Sequence, residues 1–120
     1  MGENIARTFI QTFEFSKNWD SLGLNDEDLR KLENEILEDP KAAPVIPGTG
    51  GLRKIRFPYQ KKGKRGGLRV CYVDFIVYET VYLITVYSKN AKDNLSDVEC
   101  KRIALAINFL ENSLKGEQNE

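Results

Sequence analysis

The sheet of this protein is decided by residues 68–87, which read LRVCYVDFIVYETVYLITVY. Both ends of this stretch, Leu68–Phe75 and Val81–Tyr87, are rich in valine, isoleucine and tyrosine, the residues that favour strands. The segment between them, Ile76–Thr80, is short enough for a direct connection. We therefore expect an antiparallel hairpin at the centre of the sheet.

The sequence before this hairpin predicts a third strand and a loop. Leu52–Pro58 alternates between apolar and basic residues, although imperfectly, so we expect a strand with a bulge or a register change near Lys54. Tyr59–Gly67 reads YQKKGKRGG and has no apolar residue after the tyrosine. We interpret it as a mobile loop that joins two strands.

The two ends of the chain predict helices. Thr8–Phe15 is expected to be a first strand that passes into a helix. A second helix begins after Asn25, which can cap it, and ends at Asp39-Pro40. The segment 42–51 contains two prolines and is expected to be a loop. Ser96 and Glu99 form a capping box for a C-terminal helix with one apolar face, which gives an α+β fold rich in antiparallel strands.

Length and composition indicate one domain over residues 1–120. No apolar run is long enough to cross a membrane and the N-terminus does not resemble a secretory signal, so we expect a cytoplasmic protein. The two cysteines, Cys71 and Cys100, are expected to be reduced core residues. The chain has no histidine, which removes the usual acid–base side chain and the commonest zinc ligand.

The charge is unevenly distributed along the chain. Between Pro40 and Val73 there are nine basic and no acidic residues, whereas the rest of the chain has nine basic and 18 acidic residues. The nine basic residues are Lys41, Arg53, Lys54, Arg56, Lys61, Lys62, Lys64, Arg65 and Arg69. A segment of this kind is either a solvated surface that aids solubility or a site for a polyanion such as RNA.

Arg56 and Arg69 flank the predicted loop on two strands, so they are expected to converge on one face. Guanidinium groups bind phosphate oxygens in pairs, and lysines neutralise the remaining charge. RNA supplies its own nucleophile, the 2′-hydroxyl, so cationic residues alone can promote cleavage by aligning it and stabilising the charge that develops. No cofactor and no metal are expected. A non-enzymatic RNA- or DNA-binding module remains an alternative.

Other candidate motifs have simpler interpretations. The glycine-rich segment Pro47–Gly51 lacks the ending of a phosphate-binding P-loop. The acidic residues Asp26–Asp28 are expected to serve the positive end of a helix and not a metal. Trp19, Phe13 and Phe15 are expected in the core and not as a platform on which bases stack.

Three segments carry a resemblance to a known family: IPGTGGLRKIR at 46–56, GKRGGLRV at 63–70 and YLITVYSKN at 82–90. In order and spacing they resemble the HigB branch of the RelE superfamily of toxins, over roughly residues 5 to 112. The resemblance implies a RelE-like α+β fold with two N-terminal helices and a C-terminal helix. It also implies cleavage of messenger RNA in the ribosomal decoding site, inhibition by a cognate antitoxin, and contact with operator DNA only through the toxin–antitoxin complex.

The same resemblance implies roles for individual residues. Lys54 and Arg56 are similar to the family's basic pair on the strand after the glycine connector, and Arg69 to the arginine that stabilises the scissile phosphate. Lys89 lies where relatives carry another basic residue. Four further residues resemble basic residues that hold messenger or ribosomal RNA in the family: Lys61, Lys62, Lys64 and Arg65.

This chain also departs from the family pattern. Leu95 stands where RelE has a catalytic tyrosine, and the histidines of some HigB proteins are absent. Tyr87 or a lysine is therefore expected to take over proton transfer. A ParE-like inhibitor of gyrase, from the same superfamily, is a second alternative, but that branch usually lacks the cationic site.

Overall fold

The computed structural model describes residues 5–61 and 64–118, and for residues 59–61, 64–66 and 118 it describes the backbone alone. Its elements, in chain order, are β1 (Thr8–Gln11), α1 (Phe13–Ser21), α2 (Asp26–Glu38), β2 (Arg53–Lys61), β3 (Lys64–Phe75), a 3-10 turn (Ile76–Tyr78), β4 (Thr80–Ser88) and α3 (Asp97–Gln118). The strands form one sheet in the order β1-β4-β3-β2, in which β1 is parallel to β4 and the other pairs are antiparallel. This confirms the predicted α+β fold and the central hairpin.

The helix boundaries follow from the predicted caps. The side chain of Asn25 accepts a hydrogen bond from the Asp28 backbone N–H at 2.9 Å, and the Asp28 carboxylate accepts one from the Asn25 N–H at 3.0 Å. Ser96 and Glu99 form the same reciprocal pair in front of α3. Each box satisfies backbone donors that have no partner within the helix. The acidic residues in the first turn of α2 therefore stabilise the N-terminus of that helix, as expected.

The sheet separates two apolar clusters. On one face, Phe15 and Trp19 of α1 and Leu32 and Ile36 of α2 pack against strand residues such as Tyr72. On the other face, Ile107 and Leu114 of α3 pack against a second set of strand residues. The strands of the hairpin are buried on both sides, which explains why their sequence is almost continuously apolar. In the described ranges no helix has an apolar run long enough to span a membrane.

Four local predictions were wrong. Within the predicted loop Tyr59–Gly67, residues 59–61 and 64–67 are strand, because β2 and β3 stay paired from Pro58↔Gly67 to Lys61↔Lys64; Lys62 and Gly63 lie outside the described residues. The β2–β3 register has no bulge near Lys54. The irregularity lies instead between β3 and β4, where Cys71 pairs with Thr85 and Tyr72 with Leu83, so that Ile84 is the extra residue.

The third wrong prediction concerns Phe13, whose side chain is 84% exposed and not in the core. It is the first residue of α1, and the helical turn directs Phe15 and Trp19 inward instead. The other two aromatic residues are buried, as predicted. Cys71 and Cys100 are both free thiols, but only Cys71 is buried; Cys100 is partly exposed at the start of α3, so its assignment to the core is the fourth wrong prediction.

Candidate active site

The strand register brings the predicted basic residues onto one face of the sheet. Arg56 of β2 lies opposite Arg69 of β3, which lies opposite Tyr87 of β4. The next row contains Lys54, opposite Cys71. Directly opposed residues in antiparallel strands project their side chains to the same side. Cys71 and Tyr87 belong to the cluster that α3 covers, so this row of charges lies on the α3 side of the sheet.

Arg69 is held in a defined place by its surroundings. Only 7% of the residue is exposed, although it carries a guanidinium group. A Cβ atom added to Gly67, two residues earlier on the same strand, would lie 3.1 Å from Arg69 Nη1. The guanidinium therefore extends along β3 over Gly67, and the absence of a side chain there leaves room for it.

Lys89 comes to the same end of the sheet. Its backbone N–H donates a hydrogen bond to the Gly67 carbonyl at 3.0 Å, just beyond the end of β4. The residue is exposed. The backbone of Lys89 is thus adjacent to the glycine over which the Arg69 guanidinium lies.

Within the described residues, Lys54, Arg56 and Arg69 form no ion pair with a carboxylate. In the described part of the chain the ion pairs are Arg7–Asp74, at 2.7 Å, and Lys92–Glu99, at 2.6 Å. Neither involves Lys54, Arg56 or Arg69. Lys54 Nζ instead donates a hydrogen bond to the Asn94 side-chain oxygen at 3.1 Å, which leaves its charge intact. A face of this kind is suited to an anion with several oxygen atoms.

Tyr87 is the last residue of this row, next to Arg69, and its hydroxyl is in an unusual state. Its hydroxyl is buried and has no hydrogen-bond partner within the described residues. Burial, together with the nearby Cys71 thiol, raises the pKa of Tyr87 above its ordinary value. The hydroxyl keeps its proton at neutral pH and releases it less readily than an ordinary tyrosine, so Tyr87 can donate a hydrogen bond but is a poor base. Burial also raises the pKa of Cys71, to about 12, although Lys54 and Lys92 act in the opposite direction. The thiol is therefore not a nucleophile at neutral pH.

Two residues of the site were not anticipated from the sequence. Lys92 Nζ lies 5.0 Å from the centre of the Tyr87 ring, and Asn94 orients Lys54. Both lie in the segment between β4 and α3, which has no regular pattern. Their contacts are tertiary and leave no local sequence signal.

The four residues predicted to hold RNA lie largely outside the described part of the chain. Lys62 has no described structure, and the side chains of Lys61, Lys64 and Arg65 are not described either. The backbone places Lys61 opposite Lys64, and Arg65 opposite Gln60, at the far end of the β2–β3 hairpin. The role of these four residues stays a prediction.

The chain resembles solved structures of bacterial toxins. No protein-family profile matches it. It is similar to a chain of the E. coli RelBE toxin–antitoxin complex, with 25% identity, a TM-score of 0.50, and coverage of 68% of this chain and 94% of that chain. It is also similar to a form of the E. coli toxin RelE with two arginine-to-alanine substitutions, in the free state, with 24% identity, a TM-score of 0.52, and coverage of 73% and 88%. The chain therefore has a RelE-like fold, which confirms the predicted resemblance to the RelE superfamily. The HigB branch within it stays a prediction.

Proposed function

We propose that this chain is the toxin of a type II toxin–antitoxin pair and that it cleaves messenger RNA on the ribosome. The observation that carries the proposal is the row Arg56, Arg69 and Tyr87 across three strands, with Lys54 on the same face and the backbone of Lys89 bonded to Gly67 at the same end of the sheet. The similarity to RelE and to the RelBE complex supports the toxin role and an antitoxin partner. Operator DNA would be contacted only through the complex with that antitoxin.

The proposed reaction uses the 2′-hydroxyl of the RNA as nucleophile. Its oxygen attacks the adjacent phosphorus, the bond from phosphorus to the 5′-oxygen breaks, and a 2′,3′-cyclic phosphate and a 5′-hydroxyl result. Negative charge builds up on the phosphate oxygens as the new bond forms. The Arg69 guanidinium, fixed before the substrate arrives, stabilises that charge without having to reorganise. Arg56 is exposed and binds the phosphate from the substrate side.

The protonation state of each side chain decides which part it can take in the reaction. Because Tyr87 holds its proton, it is suited to donate a hydrogen bond to an oxygen of the phosphate or to the departing 5′-oxygen. As cations, Lys54 and Lys89 can neutralise the phosphate and donate a proton to the departing 5′-oxygen, while the proton of the 2′-hydroxyl passes to water. Leu95 cannot replace the tyrosine of RelE in either role, so Tyr87 would act from the strand and not from the segment before α3.

The test is induction of the chain in bacterial cells, followed by mapping of messenger RNA 5′ ends. Wild type should produce cuts in translated messages, and Arg69→Ala should abolish them and the inhibition of growth. Arg30→Ala is a matched control, because Arg30 is exposed on α2 against the opposite face of the sheet. DNA-damage signals without RNA cuts would indicate a ParE-like gyrase inhibitor. Neither cuts nor damage would indicate a non-enzymatic binding module.

A further inference from the structure

A cleft of about 400 Å³ opens next to the candidate active site, between α1 and the segment that leads into α3. We propose that this cleft binds one base of the RNA, on a nucleotide adjacent to the cleaved phosphodiester, and that it selects which base is accepted. The inference rests on the proposed function, since it names the part of the substrate that this site would recognise.

The position of the cleft fits a neighbouring nucleotide. Thr85 and Tyr87 of β4 form one wall, and Tyr87 is the residue directly opposite Arg69. Opposed residues in antiparallel strands have Cβ atoms about 5 Å apart. A base is joined to its own phosphate by a single ribose. A phosphate held at Arg69 would therefore bring a base within reach of this cleft.

The charges around the cleft favour a base over a second phosphate. Glu14 and Glu99 border it together with Lys17 and Lys92, so the formal charges of the cleft cancel and it has no excess of positive charge to hold a second phosphate. The Glu99 carboxylate is paired with Lys92 Nζ at 2.6 Å, and this pair lowers the pKa of Glu99, so the acid stays ionised. A nucleobase is uncharged and carries both donors and acceptors on its edges. It can use the Glu14 carboxylate without repulsion.

The cleft also contains hydrogen-bonding groups that can pair with the edge of a base. Asn18 Nδ2 donates to Thr85 Oγ1 at 3.4 Å, which is long for a hydrogen bond. The amide oxygen of Asn18 and its second N–H have no partner within the described residues. A side-chain amide with a free donor and a free acceptor is well suited to pair with a base edge, and unstacked RNA bases are commonly recognised in this way.

Phe13 supplies a surface for stacking. It lines the cleft at the start of α1 and is 84% exposed, while Phe15 and Trp19 make the core contacts of that helix. An exposed ring beside a polar cleft contributes little to the core. Stacking of a base on an aromatic ring is favourable and tolerates any base, so Phe13 would contribute affinity while Asn18 contributes selectivity.

The experiment compares cut sites in cells that express wild type, Phe13→Ala, Asn18→Ala or Asn18→Asp. Phe109→Ala and Asn108→Ala are matched controls, because both residues are exposed on α3 outside the cleft. Phe13→Ala should lower cutting about 10-fold at all sites, the size expected for one lost stacking contact. Both Asn18 variants should change the base composition at one fixed position relative to the cut. The controls should match wild type in both respects.

The outcomes separate the inference from the function on which it rests. If wild type makes no cuts, the proposed function fails. If wild type cuts and all the cleft variants reproduce its rate and its base composition, the base-binding cleft is wrong while the nuclease stands. Cleft variants that cut normally but are no longer neutralised by the antitoxin would assign the cleft to that protein, and this too would overturn the inference.

Discussion

Gly67→Ala tests whether catalysis depends on the placement of the Arg69 guanidinium. The added Cβ would lie 3.1 Å from Arg69 Nη1, whereas ordinary contact begins at 3.4 Å, so the guanidinium has to move by a few tenths of an ångström. Misplacement by 1 Å can cost about 100-fold in rate, so we expect cleavage to fall about 5- to 10-fold. Alanine in place of a strand glycine gains roughly 0.5–1 kcal/mol, which offsets the contact. The variant should therefore stay folded.

The assay is cleavage of a translated message by purified protein on ribosomes, together with thermal melting. Gly116→Ala is the matched control, since a Cβ at Gly116 meets nothing within 4 Å. It lies in the last turns of α3, and alanine there should raise stability by up to about 1 kcal/mol without changing the rate. Cleavage by Gly67→Ala at the wild-type rate would refute the argument that the position of Arg69 is fixed for function.

Three further predictions follow from the site. Tyr87→Phe removes a buried hydroxyl without a partner in the described residues, so stability should be unchanged or rise by about 1 kcal/mol while cleavage falls; equal cleavage would exclude the hydroxyl from the reaction. Burial raises the pKa of Cys71 from 9.0 to about 12 and that of Tyr72 from 10.0 to about 12, so the stability they contribute is present below about pH 9 and is lost as the pH rises towards about 12. Urea unfolding at several alkaline pH values should show this loss, and Cys71→Ala should reduce it to the share of Tyr72; an unchanged stability between pH 9 and 12 would contradict the argument. Replacing Lys61, Lys62, Lys64 and Arg65 with glutamine should weaken ribosome binding and reduce its dependence on salt, whereas identical salt titrations would exclude these residues from the contact.

The parts of the fold that could be predicted are those encoded by local patterns. Asn25 and Ser96 predict the starts of two helices, because each side chain accepts a hydrogen bond from a backbone N–H three residues further along the chain. The β3–β4 hairpin follows from two apolar runs and a short connection. The convergence of Arg56 and Arg69 could be expected because they flank one hairpin, and hairpin partners lie opposite each other.

The remaining features depend on contacts that a local pattern does not contain. Lys54 donates a hydrogen bond to Asn94, which lies 40 positions further along the chain, and the sequence around either residue does not predict this contact. The exposure of Phe13 depends on where α1 begins, since a shift of one residue in a helix start turns each side chain by about 100°. The pairing of Tyr59–Lys61 is a backbone ladder, which a local sequence of polar residues and glycines does not indicate.

Cleavage of a translated message by purified wild type and Arg69→Lys, with and without ribosomes, tests the central claim most directly. The lysine keeps the positive charge but loses the fork that binds two phosphate oxygens. We predict cleavage by wild type only when ribosomes are present, and a loss of at least about 10-fold in Arg69→Lys with an unchanged melting temperature. Equal cleavage by the two proteins, or no cleavage by wild type on ribosomes, would contradict the account.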